Sequence, residues 1–134
     1  MGVPDRGMKL FRERSCAVCH TGTSRIGPDL TGVAGRFSRD DLFNAILYPS
    51  RDVAPAYRVN DIETQDGKNY SGIVIFEAAE GIIVQTGAAT TIRIDSANLV
   101  SRKPSTKSLM PAGLLKDLKP EDLADLYSYL RSLK

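Results

Sequence analysis

Cys16-Ala17-Val18-Cys19-His20 is the stretch from which the rest of the 134-residue chain is best read. Two thiols spaced by two residues and followed at once by an imidazole form an attachment motif for a covalently bound haem. Each thiol can add across one vinyl group of the porphyrin, and the adjoining imidazole is then held beneath the iron as its proximal ligand. His20 is the only histidine in the chain, and Cys16 and Cys19 are the only cysteines. A second histidine ligand is therefore excluded, which leaves methionine, lysine, water or an open position for the sixth coordination site. Two other chemistries use thiols in this spacing. A redox-active disulfide of the thioredoxin kind normally follows a strand, whereas the residues before Cys16 have a helical pattern. A structural zinc site needs four ligands, and the chain has no second cluster of Cys or His.

Outward from the motif, Asp5 to about Ser15 reads as a helix, with Gly7, Leu10 and Phe11 on one side and Arg6, Lys9, Arg12 and Glu13 on the other. After the motif, Thr21-Gly22-Thr23-Ser24 reads as a loop and Ile26-Gly27-Pro28-Asp29-Leu30 as an extended, turn-rich segment. Ser38 is a good helix cap, and Asp40 and Asp41 suit the positive helix end. Leu42, Phe43, Ile46 and Leu47 give that helix its apolar face, and Tyr48-Pro49-Ser50 ends it. From about Tyr57 to Val100 the period changes to two. Tyr70, Gly72, Val74 and Phe76 alternate with Ser71, Ile73 and Ile75, and Ile82-Ile83-Val84 and Thr91-Ile92-Arg93-Ile94 follow as strands. With turns at Asp66-Gly67, Ala79-Glu80-Gly81 and Gly87, this predicts about four antiparallel strands in a meander able to curl toward a small barrel. Helix returns at Pro120, where Leu123, Leu126, Tyr127, Leu130 and Leu133 form a buried stripe with Tyr129 beside it. Glu121, Asp122 and Asp125 read as the solvated side of that helix.

Length predicts one domain, and 42% apolar with 25% charged residues is ordinary for a globular chain. A net charge of +2 gives no reason to expect a nucleic-acid partner. No apolar run is long enough to span a membrane, and the start Met1-Gly2-Val3-Pro4-Asp5 lacks the features of a signal peptide. Haem is ordinarily attached to such a motif outside the cytoplasmic membrane. A natural precursor is therefore expected to carry a signal, the chain to be an excised domain or processed form with Met1 and Gly2 added, and its location to be periplasmic or otherwise extracytoplasmic.

Ser108-Leu109-Met110-Pro111 supplies the best sixth ligand, because Met1 is the start and Met8 lies in the first helix beside the motif. A thioether binds haem iron well and favours the ferrous state, and Pro111 restricts Met110 to extended backbone. The helix ending in Cys16-Ala17-Val18-Cys19-His20, the Gly27-Pro28-Asp29-Leu30 loop, the Met110-Pro111 loop and the closing helix together resemble a class I c-type cytochrome. More narrowly, the chain is similar to haem-binding modules near the C-termini of large exported proteins of planctomycete and verrucomicrobial bacteria. Gly27-Pro28-Asp29-Leu30-Thr31, Ala45-Ile46-Leu47-Tyr48-Pro49-Ser50, the Asp66-Gly67 and Gly72 sheet segment and Ser108-Leu109-Met110-Pro111 carry that likeness.

The resemblance implies a mostly α cytochrome c fold with an inserted antiparallel β-sheet, α+β overall. It also implies a single domain over 1–134 with its core in 1–56 and 104–134 and the insertion in 57–103. One haem c would be held through Cys16 and Cys19, with His20 and Met110 as axial ligands. The Pro28 carbonyl would accept from the second ring nitrogen of His20, and Arg36 would pair with a haem propionate. Gly7 and Phe11 should meet Leu126, Tyr129 and Leu130 where the terminal helices cross. The implied role is one-electron transfer to a redox partner or a neighbouring oxidoreductase domain, rather than catalysis. A haem sensor in which Met110 leaves the iron is the alternative. Peroxidase chemistry lacks its usual distal imidazole, and the sheet is read as an elaboration with its own face to bury more than as a docking surface.

Overall fold

In the structure, a computed structural model that describes residues 2–21, 26–87 and 89–134, Pro4 opens helix α1 (Pro4–Glu13). A proline at this position sacrifices no intrahelical hydrogen bond, and Asp5 in the first turn and Arg12 in the last suit the helix dipole. The helix was expected to run to about Ser15. It stops earlier because Ser15 adopts a left-handed conformation (φ 65°), after which α2 (Cys16–His20) starts in a new direction. The expected loop at Thr21-Gly22-Thr23-Ser24 lies, beyond Thr21, outside the described residues, as does Met1.

Helix α3 (Val33–Arg36) is a single short turn, and α4 (Arg39–Leu47) begins at Ser38, whose Oγ accepts from the Asp41 N–H at 3.1 Å. The closing helix α5 (Pro120–Ser132) opens with Pro120, and the Lys119 N–H donates to Asp122 Oδ2 at 3.0 Å. Helix α5 lies against α1. An added Cβ on Gly7 would stand 2.0 Å from the Asp125 carbonyl oxygen and 2.7 Å from Tyr129 Cβ, so only glycine allows these backbones so close. Phe11 and Tyr129 meet at that crossing with ring centroids 5.2 Å apart. Phe11, Val33, Leu42, Leu126 and Leu130 form the buried core of the helical half, with Cys16, Ala17, Phe43 and Tyr127 packed against it.

Asp125 departs from the sequence reading. It is buried, not solvated: its Oδ1 accepts from the Val3 N–H at 2.7 Å and its Oδ2 faces Arg6 Nε at 3.3 Å. An N–H at the start of α1, without a partner inside its own helix, thus finds one on the neighbouring helix.

The sheet has five strands, not about four: β1 (Asn60–Thr64), β2 (Asn69–Ala78), β3 (Gly81–Gly87), β4 (Thr90–Asp95) and β5 (Leu99–Pro104). All neighbours are antiparallel in the order β4-β3-β2-β1-β5, so β1 to β4 meander and β5 returns to the far side of β1. A flat sheet would set β4 and β5 about 19 Å apart, four interstrand spacings. The short link Ser96–Asn98 spans at most about 15 Å between Asp95 and Leu99, so the sheet must curl. Register shifts between Val74 and Phe76, and that bulge breaks the expected alternation: Val74 packs on the inner cluster while Phe76 is exposed. Ile62, Ile82, Val84 and Ile94 fill the concave side, a cluster that shares no member with the helical core.

Candidate functional site

Helix α2 places Cys16, Cys19 and His20 at positions i, i+3 and i+4, which fall on one helix face. Both thiols are free and half-buried. Burial pushes both above the ordinary thiol range, and Cys16 also feels Cys19. A redox-active pair needs a thiol pulled the other way, so this setting does not favour disulfide exchange. Among the described residues no group of three His, Cys, Asp or Glu side chains is arranged to hold a bare metal ion.

His20 Nδ1 lies 2.9 Å from the Pro28 carbonyl oxygen. A carbonyl only accepts, so that contact assigns the proton to Nδ1 and leaves the Nε2 lone pair free to bind a metal. Gly27 makes the approach possible. A Cβ there would stand 2.7 Å from the Cys19 carbonyl oxygen and 3.1 Å from His20 Cε1.

The loop carrying Pro28 is braced from two sides. Asp29 Oδ1 accepts from the Thr31 N–H at 2.9 Å and from the Thr31 hydroxyl at 2.8 Å, and these bonds hold its carboxyl below the usual carboxylate range. Arg36, on α3, donates from Nη1 to the Thr31 carbonyl at 2.6 Å and from Nη2 to the Asp29 carbonyl at 3.2 Å. The structure therefore brings Cys16, Cys19, His20, Pro28 and Arg36 into one connected loop-and-helix unit. Arg36 is exposed, and with two of its N–H groups given to carbonyls it keeps others free.

Met110 is half-buried in the segment between β5 and α5. Its N–H donates to Ser108 Oγ at 3.1 Å, and the Ser108 N–H donates to Ser50 Oγ at 3.0 Å. The bracing by Asp29 was not foreseen, though an aspartate two residues before a threonine is a local signal for such a turn. The Ser50–Ser108 contact joins residues 58 apart and has no local signal.

Two thiols, an imidazole nitrogen with a free lone pair and a thioether are a donor set that suits haem attachment and iron ligation. The family model described as cytochrome C oxidase, cbb3-type, subunit III matches residues 2–69, slightly over half of the chain. That span contains Cys16, Cys19, His20, Pro28 and Arg36 and stops before Met110. No curated protein matches the chain.

Proposed function

The chain belongs to the cbb3-type cytochrome c oxidase subunit III family, c-type cytochromes that bind haem and transfer electrons, and on that footing we propose a haem with two axial ligands from this chain. Cys16 and Cys19 would hold one haem c covalently, and His20 and Met110 would be its iron ligands. When bound, the haem supplies a one-electron couple between ferric and ferrous iron. Cys16 and Cys19 fix the macrocycle against α2, and His20 presents Nε2 while Pro28 holds its ring by Nδ1. Such a carbonyl partner fixes ring orientation and raises ligand basicity. Met110 favours the reduced state, as a thioether ligand does relative to a second nitrogen. The N–H groups of Arg36 not used on the Asp29 and Thr31 carbonyls are available to a haem propionate.

The observation that carries this reading is the pairing of two free thiols with a carbonyl-held imidazole on one face of one short helix. The reading covers 1–134 as one domain, with haem-bearing parts 1–56 and 104–134 and the sheet 57–103 as an insertion. The sheet motifs and Ser108-Leu109-Met110-Pro111 support the narrower likeness to the planctomycete and verrucomicrobial modules. The chain acts as an electron-transfer module, with a redox partner or a neighbouring oxidoreductase domain doing any catalysis. Its place is extracytoplasmic, typical of its family. No helix among the described residues is long and apolar enough to cross a membrane.

Absorption spectra of the purified protein, oxidised and reduced, with and without carbon monoxide, test the proposal together with the mass of the denatured chain. A mass increase of one haem and a low-spin spectrum that ignores the gas are expected. An unmodified mass contradicts covalent attachment, and prompt gas binding moves the assignment to a sensor that releases Met110.

A further inference from the structure

We propose that Ser50 is a positioning residue for Met110, its hydroxyl latching the ligand segment to the end of α4; this rests on the His20/Met110 reading above. The segment that follows β5 is held at few points. The Ser105 N–H donates to the Val59 carbonyl at 2.8 Å, and the next tie outside the segment is the Ser108 N–H to Ser50 Oγ at 3.0 Å. Ser108 Oγ in turn accepts from the Met110 N–H at 3.1 Å. Two hydrogen bonds in series therefore connect Ser50 to the backbone of the ligand residue itself.

Ser50 is a firm post. It sits in the turn that ends α4, closed by the Arg51 N–H donating to the Tyr48 carbonyl at 3.1 Å, with the Arg51 guanidinium 5.8 Å from the Tyr48 ring centroid. The segment it holds has open space beside it. A cleft of about 610 Å³ lies between residues 105–109 and Val59, Asp61 and Ser71. Another of about 500 Å³ separates Ser105 and Thr106 from Arg51, Asp52 and Arg58. Ser108, Leu109 and Met110 are half-buried, and the hydrogen bonds through Ser108 add a directional hold to that packing. Without the Ser50 hydroxyl the Ser108 N–H turns to water, and Met110 leaves the iron more often.

Added imidazole competes with Met110 for the ferric iron in the haem-loaded full chain, so its apparent affinity reports the fraction of time Met110 is away. Ser50→Ala should tighten imidazole binding about fivefold, the loss of one typical hydrogen bond. Ser50→Thr, which keeps a hydroxyl, should match the unsubstituted protein. Asp125→Asn disturbs the α1–α5 contact instead and should lower Tm without changing imidazole affinity. If Ser50→Ala binds imidazole no better while the sulfur-to-iron near-infrared band is present, the latch is wrong and Met110 ligation stands. If the unsubstituted protein lacks that band, ligation and latch fall together.

Discussion

The helical half and the sheet solve the same packing problem in different ways. In the sheet, Ile62, Ile82, Val84 and Ile94 bury one another on the inside of a curled surface, and the special geometry lies in turns, in register shifts and at Gly72 and Gly81, where an added Cβ would stand 2.4 and 2.5 Å from a carbonyl oxygen of the next strand. In the helical half, burial by Phe11, Val33, Leu42, Leu126 and Leu130 is accompanied by contacts that no generic apolar residue replaces. Gly7 lets α1 and α5 touch, Ser15 turns the chain into α2, Gly27 lets the Pro28 loop close, and Asp125 caps α1 from another helix. The difference teaches where the chemistry lives. The helical half spends its close approaches on the α1–α5 crossing and on the Pro28 loop beside His20, while the sheet spends its own, at Gly72 and Gly81, on pairing strands.

The sharpest way to break the comparison is to add a side chain at Gly7. Gly7→Val must push α5 away from α1, and at least about 3 kcal/mol of stability is lost, with haem loading falling alongside. Ile62→Ala removes comparable apolar volume from the other cluster and costs about 2–3 kcal/mol, yet the haem spectrum is expected to stay as it is. Denaturant titrations monitored by haem absorbance and by far-ultraviolet circular dichroism check both. Equal disturbance of the haem by the two substitutions would mean that the halves are not separable.

Smaller effects sharpen the picture. Ser15→Gly relieves a left-handed backbone at a residue with a Cβ and should raise stability by about 1 kcal/mol, read as a higher Tm. Asp29 titrates below its ordinary range because Thr31 donates to its carboxylate. Its contribution is thus present above the unfolded carboxylate range and lost as pH falls through the depressed folded value. Asp29→Asn keeps an acceptor oxygen but cannot titrate, so the acid limb of a stability–pH curve should become shallower while the neutral plateau moves little. An unchanged acid limb would show that Asp29 is not a source of that dependence.

Legibility in the sequence follows the same division. Local chemistry was readable: the spacing of Cys16, Cys19 and His20, the Ser38 cap, Pro120 at the start of α5 and the stripe through Leu126 and Leu130. The close approach at Gly7 was legible through family likeness, which implies a crossing of the terminal helices there. What escaped depends on distant partners. Asp125 looks solvated until the Val3 N–H is placed beside it across 122 residues. Strand β5 contains Arg102, Lys103 and Pro104, residues that mark a sheet edge and hide a strand from a search for apolar alternation. The bulge at Val74–Phe76 changes the face of the later residues of β2, and nothing in the run of apolar residues announces it. At the candidate site, the Pro28 carbonyl beside His20 was legible through family likeness, whereas the bonds from Arg36 to the Thr31 and Asp29 carbonyls and the hold on Met110 through Ser108 and Ser50 were not.

The near-infrared spectrum and reduction potential of Met110→Ala beside the unsubstituted protein test the central claim most directly. Loss of the sulfur-to-iron band with a lower potential is the predicted result, because the thioether is the ligand that favours ferrous iron. A band and a potential that do not change would contradict His20/Met110 ligation.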